Sequence, residues 1–181
     1  SQFNGSMTGW ATKAGGNWQV NSTYLYDNGV SNKWSSVIRD SQEYSNFTFS
    51  AKVRQTGGTY DKNEMCIRMG TLVNGTVNTW YPGYGFRYQN NGYYYIIRYN
   101  ANGTASTIQE STYNSAITDD WNTLKVVANG SNFKYYINGV LLKEFTDSTF
   151  SQGYVGFQWM KMGTYEGQYQ VDWAKLFEIG D

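Results

Sequence analysis

The chain has 181 residues, and its 14 basic and 14 acidic side chains cancel, which argues against binding to nucleic acids. It contains one cysteine and no histidine, so internal disulfides, thiolate zinc sites and mechanisms that need an imidazole are excluded. No apolar run is long enough for membrane insertion. Aromatic residues make up 18% of the chain, alongside 20 glycines, a composition typical of an ordered globular domain.

Short runs rich in tyrosine, valine, isoleucine and phenylalanine follow one another along the chain, and helical periodicity is missing. Asn-Gly pairs such as Asn91-Gly92 and Asn138-Gly139 separate the runs, and this dipeptide favours tight turns between antiparallel strands. About ten strands are predicted, at residues 18–20, 36–39, 47–54, 65–70, 84–89, 93–99, 122–128, 132–137, 154–160 and 171–179. So many strands bury their apolar faces by stacking, so we predict an all-β, two-sheet antiparallel β-sandwich in a single domain, residues 1–181.

Alternation along two of these strands predicts which side chains face the core. The predicted core set of the first strand is Phe47, Phe49, Ala51 and Val53. The predicted core set of the second strand is Met65, Ile67 and Met69. Glu64 and Arg68 then share the outer face of this second strand.

Four groups of residues, in this order, carry a resemblance to a known family. They are GNWQV (16–20); NEMCIR (63–68) with GYGF (83–86); WNTLKV (121–126) with FKYYING (133–139); and GYVGFQ (153–158) with VDW (171–173). Together they resemble the concanavalin A-like (laminin-G-like) jelly rolls, and most closely the family 66 carbohydrate-binding modules and the keto-disaccharide hydrolase domains of bacteria. The resemblance spans about Gly16 to Ile179. It implies a jelly roll with a sugar site on one sheet, in a longer secreted or cell-surface polypeptide.

A sugar site needs flat aromatic rings for stacking and planar polar groups that bind neighbouring hydroxyls. Arg68 and Glu64 are candidates because both take the outer face of one strand, and Arg87 is expected on the next strand. The resemblance also implies that an arginine at the Arg68 position lies on the ligand face. The alternative is a solvated ion pair between strands, which contributes little.

Two further segments supply aromatic candidates. Trp80 and Tyr81 stand in a loop before a strand, where an exposed Trp80 would form a stacking platform; the alternative is that Trp80 folds under the loop as a satellite core. The run 93–99 carries aromatic residues on both of its faces, so the alternation of side chains does not show which face points outward. We assign Tyr94 and Arg98 to the outer, ligand-binding face, and the opposite assignment is the alternative.

Carboxylates give limited evidence for metal binding or catalysis. Asp61 and Asp172 are the candidates for holding a structural calcium ion, although no contiguous calcium-binding loop is present and capping of turns is the alternative. No other cofactor is predicted. The E-x-D-x-x-E pattern of the jelly-roll glycanases does not occur, so no catalytic residue is predicted.

These features predict a non-catalytic carbohydrate-binding module that binds a polysaccharide or its chain end, secreted or at a bacterial cell surface. Its expected partners are a polysaccharide or oligosaccharide and a tethered catalytic domain. One alternative is a glycoside-cleaving domain of the same fold, which requires two converging carboxylates. The other is a protein-binding or adhesive spacer, which requires a flat apolar patch.

Overall fold

Sixteen strands joined by turns form the regular structure of residues 1–180 in the computed structural model. In chain order they are β1 (Trp10–Ala14), β2 (Gln19–Val20), β3 (Leu25–Asp27), β4 (Trp34–Tyr44), β5 (Phe47–Gln55), β6 (Lys62–Met69), β7 (Leu72–Val73), β8 (Trp80–Tyr81), β9 (Gly83–Tyr88), β10 (Tyr93–Tyr99), β11 (Ala105–Tyr113), β12 (Asn122–Asn129), β13 (Asn132–Ile137), β14 (Val140–Thr146), β15 (Gly153–Met160) and β16 (Tyr169–Glu178). Every predicted strand overlaps one of these, and β10 and β13 have the predicted bounds. The described residues contain no helix that could cross a membrane.

Two seven-stranded antiparallel sheets build the sandwich, as predicted. The first sheet has the order β1-β4-β15-β6-β9-β10-β11, and the second has the order β14-β13-β12-β5-β16-β3-β2. The short strands β7 and β8 pair separately. Three longer strands that the sequence did not predict, β1, β11 and β14, are all outermost in a sheet. Such strands pair on one side only and are half-exposed, so they lack a strong apolar alternation.

The main core lies between the two sheets and follows the predicted alternation of β5. Phe47, Phe49, Ala51 and Val53 are buried, whereas the residues between them are partly exposed. β5 is a central strand that pairs with both β12 and β16, so its inner side chains are enclosed from all sides. The predicted core face of β5 is therefore confirmed.

The alternation of β6 breaks at Arg68, which has a left-handed backbone conformation with φ of 48°. Met65 and Ile67 belong to the main core, as predicted. Beyond them the strand contains an irregularity against β15, and Met69 packs on the outer face of the sheet instead. Such a β-bulge gives one strand an extra residue relative to its partner, so the side chains that follow point to the opposite faces from those that simple alternation predicts. The predicted inner position of Met69 was wrong for this reason.

Arg68 consequently turns away from the outer face, and the prediction that it faces a ligand there was wrong. Its side chain is buried, and its guanidinium lies 4.9 Å from the centre of the Phe133 ring, which belongs to the main core. Nε and Nη2 donate hydrogen bonds to the carbonyl oxygen of Ser45, and Nη1 donates to that of Phe150 at 2.9 Å. Arg68 therefore ties loops together from within the sandwich.

A second apolar cluster covers part of the outer face of the first sheet. Its buried members are Ile38, Cys66, Met69, Trp80, Ile97 and Tyr99. Trp80 comes from a flap, defined here as residues 70–82, that folds over the sheet. Its Nε1 donates a hydrogen bond to the Gly70 carbonyl oxygen at 2.7 Å. The prediction of an exposed Trp80 platform was therefore wrong, and the satellite-core alternative describes this residue.

The Trp80 ring packs directly on β15 at Gly156, where the absence of a side chain leaves room for it. A Cβ atom at this position would lie 2.1 Å from the carbonyl oxygen of Val37 and 3.0 Å from the Trp80 ring. We expect Gly156→Ala to lower the free energy of unfolding in urea by about 1–3 kcal/mol, because overpacking displaces the flap or the strand. Gly75→Ala, in the same flap, is the control, since a Cβ there meets no atom within 4 Å. Equal stability of the two variants would contradict this packing.

Candidate functional site

Cross-strand pairing gathers polar side chains on the outer face of the first sheet, beside the flap. Gln158 of β15 pairs with Glu64 of β6, Glu64 pairs with Arg87 of β9, and Arg87 pairs with Tyr95 of β10. Directly paired residues point to the same face of a sheet. These four side chains therefore form one row across four strands, with Glu64 and Arg87 on the outer face as predicted.

The Glu64 carboxylate is fully buried and is held by three side chains. Arg87 Nε donates to Oε1 at 2.7 Å, and Arg87 Nη2 lies 2.5 Å from the same oxygen. The Tyr99 hydroxyl lies 2.8 and 2.9 Å from the two carboxylate oxygens, and Gln158 Nε2 donates to Oε2 at 2.7 Å. Since both oxygens are occupied, Glu64 fixes its neighbours instead of contacting a ligand directly.

The surroundings of Glu64 keep its partners in their donating forms. Burial, together with the Glu64 carboxylate, raises the pKa of Tyr99 well above its usual value, so the phenol keeps its proton. Burial alone would lower the pKa of Arg87, but Glu64 and the Tyr99 hydroxyl outweigh it, and the pKa is raised. Gly85 leaves room for this arrangement, since a Cβ there would lie 2.5 Å from Glu64 Oε2.

Arg87 is the member of this network that reaches the surface. Its side chain is 12% exposed, and its guanidinium lies 5.4 Å from the Trp34 ring centre and 5.7 Å from the Tyr95 ring centre. The Tyr95 hydroxyl donates to Gln89 Oε1 at 3.1 Å, which fixes that ring. Arg87 Nη1 makes no hydrogen bond within the described chain. The structure therefore presents an uncommitted planar donor between two aromatic rings.

Tyr94 and Arg98 of β10 face the opposite way, so their assignment to the outer face was wrong. The Tyr94 hydroxyl donates to the Leu142 carbonyl oxygen at 2.9 Å, and its ring belongs to the main core. Arg98 Nη1 donates to Asp147 Oδ2 at 2.7 Å. The turn at Asn91-Gly92 sets a register in which the odd-numbered residues of β10, including Tyr95, take the outer face.

Tyr81, the remaining aromatic candidate, is half-buried at the end of the flap. It packs against the second apolar cluster. Its ring also lies beside Gly103, since a Cβ atom added to that glycine would be 3.7 Å from the ring. A direct contact between Tyr81 and a sugar stays a prediction.

The two calcium candidates, Asp61 and Asp172, make separate contacts within the chain. Asp61 is buried; its Oδ1 accepts hydrogen bonds from the Met162 amide at 2.9 Å and from the Tyr165 hydroxyl, and burial raises its pKa. Asp172, on the second sheet, forms an ion pair with Lys52 at 3.0 Å. Among residues 1–180, no group of three or more histidine, cysteine, aspartate or glutamate side chains is placed to hold a metal ion. Binding of calcium at Asp61 or at Asp172 stays a prediction.

Two clefts of about 410 Å³ lie away from this face. One lies beside the amino terminus and is lined in part by Trp10 and Arg39, and another is lined in part by Arg54 and Asp120. In the first cleft Arg39 donates to the Gly9 carbonyl oxygen at 3.3 Å, and in the second Arg54 donates to Asp120 at 3.1 Å. The outer face of the first sheet differs in placing the Arg87 guanidinium between the Trp34 and Tyr95 rings, and this arrangement makes it the stronger candidate for ligand binding.

The sequence did not single out Tyr95, Lys62 or Gln158 as parts of this site. A signal for two of them was present. Lys62 stands two residues before Glu64 on the same strand, and a turn centred on Asn91 places Tyr95 opposite Arg87. Gln158 required knowledge that β15 lies beside β6, which is a long-range pairing without a local signal.

The sandwich belongs to the class of concanavalin A-like jelly rolls, a fold used by carbohydrate-binding modules, lectins and glucanases. It is similar to the family 66 carbohydrate-binding module from Bacillus subtilis, with a TM-score of 0.71 and 20% identity over 93% of this chain and 94% of that one. It is also similar to the Bacillus licheniformis beta-glucanase, with a TM-score of 0.71 and 12% identity over 98% and 96% of the two chains. For the VIP36 exoplasmic/lumenal domain in its Ca2+/Man3GlcNAc-bound form, the TM-score is 0.70 at 12% identity over 99% and 87%.

At the level of sequence, residues 1–170 match the model of the 3-keto-alpha-glucoside-1,2-lyase-like domain, and the chain belongs to this family. No curated protein matches the chain. The resemblance seen in the sequence to jelly rolls of the carbohydrate-binding and keto-disaccharide hydrolase groups is thereby confirmed.

The Glu64 network makes a prediction about stability. Glu64→Gln leaves the Arg87 guanidinium largely desolvated without its counter-charge, so we expect the free energy of unfolding to fall by about 3 kcal/mol. The control is Glu144→Gln, whose carboxylate is 56% exposed and lies 3.5 Å from Lys134 Nζ. We expect that change to cost less than about 1 kcal/mol. Urea unfolding of both variants measures the difference, and similar losses would contradict a structural role for Glu64.

Proposed function

We propose that the chain is a carbohydrate-binding module that holds a polysaccharide or its chain end against the outer face of the first sheet. The observation that carries this proposal is the Arg87 guanidinium, which lies between the Trp34 and Tyr95 rings with Nη1 uncommitted. Membership of a family defined on keto-sugar chemistry and the likeness to a carbohydrate-binding module support a saccharide as the ligand.

The chemistry of the site suits a sugar. An aromatic ring such as Tyr95 offers a flat apolar surface to the C–H face of a sugar and a hydroxyl at its edge. Arg87 Nη1 can donate two hydrogen bonds to neighbouring sugar oxygens, because a guanidinium is planar and keeps its protons. Glu64 holds this donor in place before the ligand arrives, which reduces the ordering cost of binding.

The second candidate is a glycoside-cleaving enzyme, favoured by the lyase-like description of the family. Cleavage by two carboxylates requires one acid to donate a proton while the other acts as base or nucleophile. The only site carboxylate in our proposal, Glu64, already accepts hydrogen bonds at both oxygens. We therefore favour binding over cleavage.

Our proposal also places this module outside the cell, beside a catalytic domain that it keeps close to an insoluble substrate. Tethering raises the local concentration of the second module near the bound glycan without new contacts. The neutral, aromatic-rich composition and the sugar-binding fold support this location.

Tyr95→Ala tests the proposed binding surface. We expect it to weaken binding of any recognised glycan by about tenfold, because it removes the stacking ring. Tyr136→Ala is the matched control: this tyrosine lies on the outer face of the second sheet, where Lys125 Nζ is 4.1 Å from its ring centre. Isothermal titration with a panel of soluble neutral and acidic oligosaccharides measures both variants. Equal losses, or no loss in either, would place the binding surface elsewhere.

The enzymatic alternative is tested with the same panel, extended to 3-keto-glucosides. We expect the unmodified protein to bind without releasing reducing sugar or an unsaturated product over prolonged incubation. Release that scales with protein concentration and is lost in Tyr95→Ala would overturn the binding-only proposal.

A further inference from the structure

Lys62 adds a second cation to the site. It is the first residue of β6 and lies two positions before Glu64, so its side chain takes the same outer face. Its partner in β15 is Met160, which in turn pairs with Trp34 of β4. Lys62 therefore stands in the row next to that of Glu64 and Arg87, on the side of the Trp34 ring.

The Lys62 ammonium has no hydrogen bond or ion pair within the described chain, although its side chain is half-buried. Burial lowers the pKa of Lys62, and the nearby Arg87 guanidinium lowers it further. Glu64 acts in the opposite direction, but its two oxygens are already held by Arg87, Tyr99 and Gln158. Two cations thus face one committed carboxylate, which leaves a local positive charge on a chain with no net charge.

We propose that the ligand of this site is an acidic sugar, a hexuronate, whose carboxylate is held between Lys62 Nζ and Arg87 Nη1 while its ring lies on Tyr95. This inference rests on the proposed function and names the class of saccharide. The uncommitted ammonium and the uncommitted Nη1 are the two donors that carry it.

The choice of an acid over a neutral sugar follows from solvation. A sugar that covers Lys62 removes water from an ammonium, and this is costly unless the charge is compensated. A carboxylate compensates it and accepts charge-assisted hydrogen bonds from both donors, which are stronger than hydrogen bonds between neutral groups. A neutral sugar offers only hydroxyl oxygens and leaves the two cations to repel each other.

The test compares each acid with its own neutral form. Trimers of galacturonate, glucuronate and mannuronate are titrated into the protein alongside their methyl esters, which keep the ring and remove the charge. We expect at least one acid to bind about tenfold or more tightly than its ester, the value of one charge-assisted hydrogen bond. Its affinity should fall as salt is raised, whereas that of the ester should not.

Variants of Lys62 assign the preference to this site. Lys62→Gln should reduce the affinity for the preferred acid by about tenfold and leave that for the ester unchanged. Lys62→Arg keeps the charge and should retain most of the affinity. Lys143→Gln, on β14 of the second sheet, is the control and should have no effect. Circular dichroism of each variant establishes that it is folded.

Two results would overturn the acidic-sugar inference alone. One is that esters or other neutral glycans bind as tightly as the acids and depend on Tyr95; the other is that an acid preference survives in Lys62→Gln while binding still depends on Tyr95. In either case the proposed binding function stands, since a saccharide is still held at this face. If neither acids nor neutral glycans bind, both the inference and the proposed function are wrong.

Discussion

The buried ion pair between Glu64 and Arg87 is the constraint on which the site depends. Moving two charges out of water is costly, and the cost is offset only when geometry is good and the remaining hydrogen-bonding groups are satisfied. Tyr99 and Gln158 satisfy the carboxylate, and the Trp34 and Tyr95 rings flank the guanidinium. The result is a rigid arginine whose one free nitrogen points away from the pair.

The flap and the site form one structural unit through Gln158. Its Nε2 donates to Glu64, and its Oε1 accepts the Trp80 amide at 3.4 Å. Trp80 lies against Gly156, which is two residues before Gln158 on β15 and on the same face of the strand. The packing of the flap and the polar contacts beside it therefore stabilise each other. The flap thereby shields one part of the outer face of the first sheet from water and leaves the part around Arg87 open to ligand.

Sequence reasoning succeeded where local patterns decide the outcome. The Asn-Gly pairs predicted where turns separate the strands, and alternation predicted which residues of β5 face the core. It failed at Arg68 because a single left-handed residue reverses the faces of a strand, and at Trp80 because burial under a flap depends on a glycine of another strand. Glu64 and Arg87 were found, but their partners Gln158 and Trp34 come from strands distant in sequence, and no local pattern reports such neighbours.

The most direct measurement of the central claim is a titration of the ¹⁵N-labelled protein with an oligosaccharide that it binds, monitored by two-dimensional NMR. If saccharides are held at this face, the largest shift changes will occur at the Tyr95 and Gln89 amides and at the Arg87 side-chain Nε, while the amides around Tyr136 on the second sheet stay unchanged. Largest changes along the cleft that Arg54 and Asp120 line, or around Tyr136, with Arg87 Nε unmoved, would contradict the account.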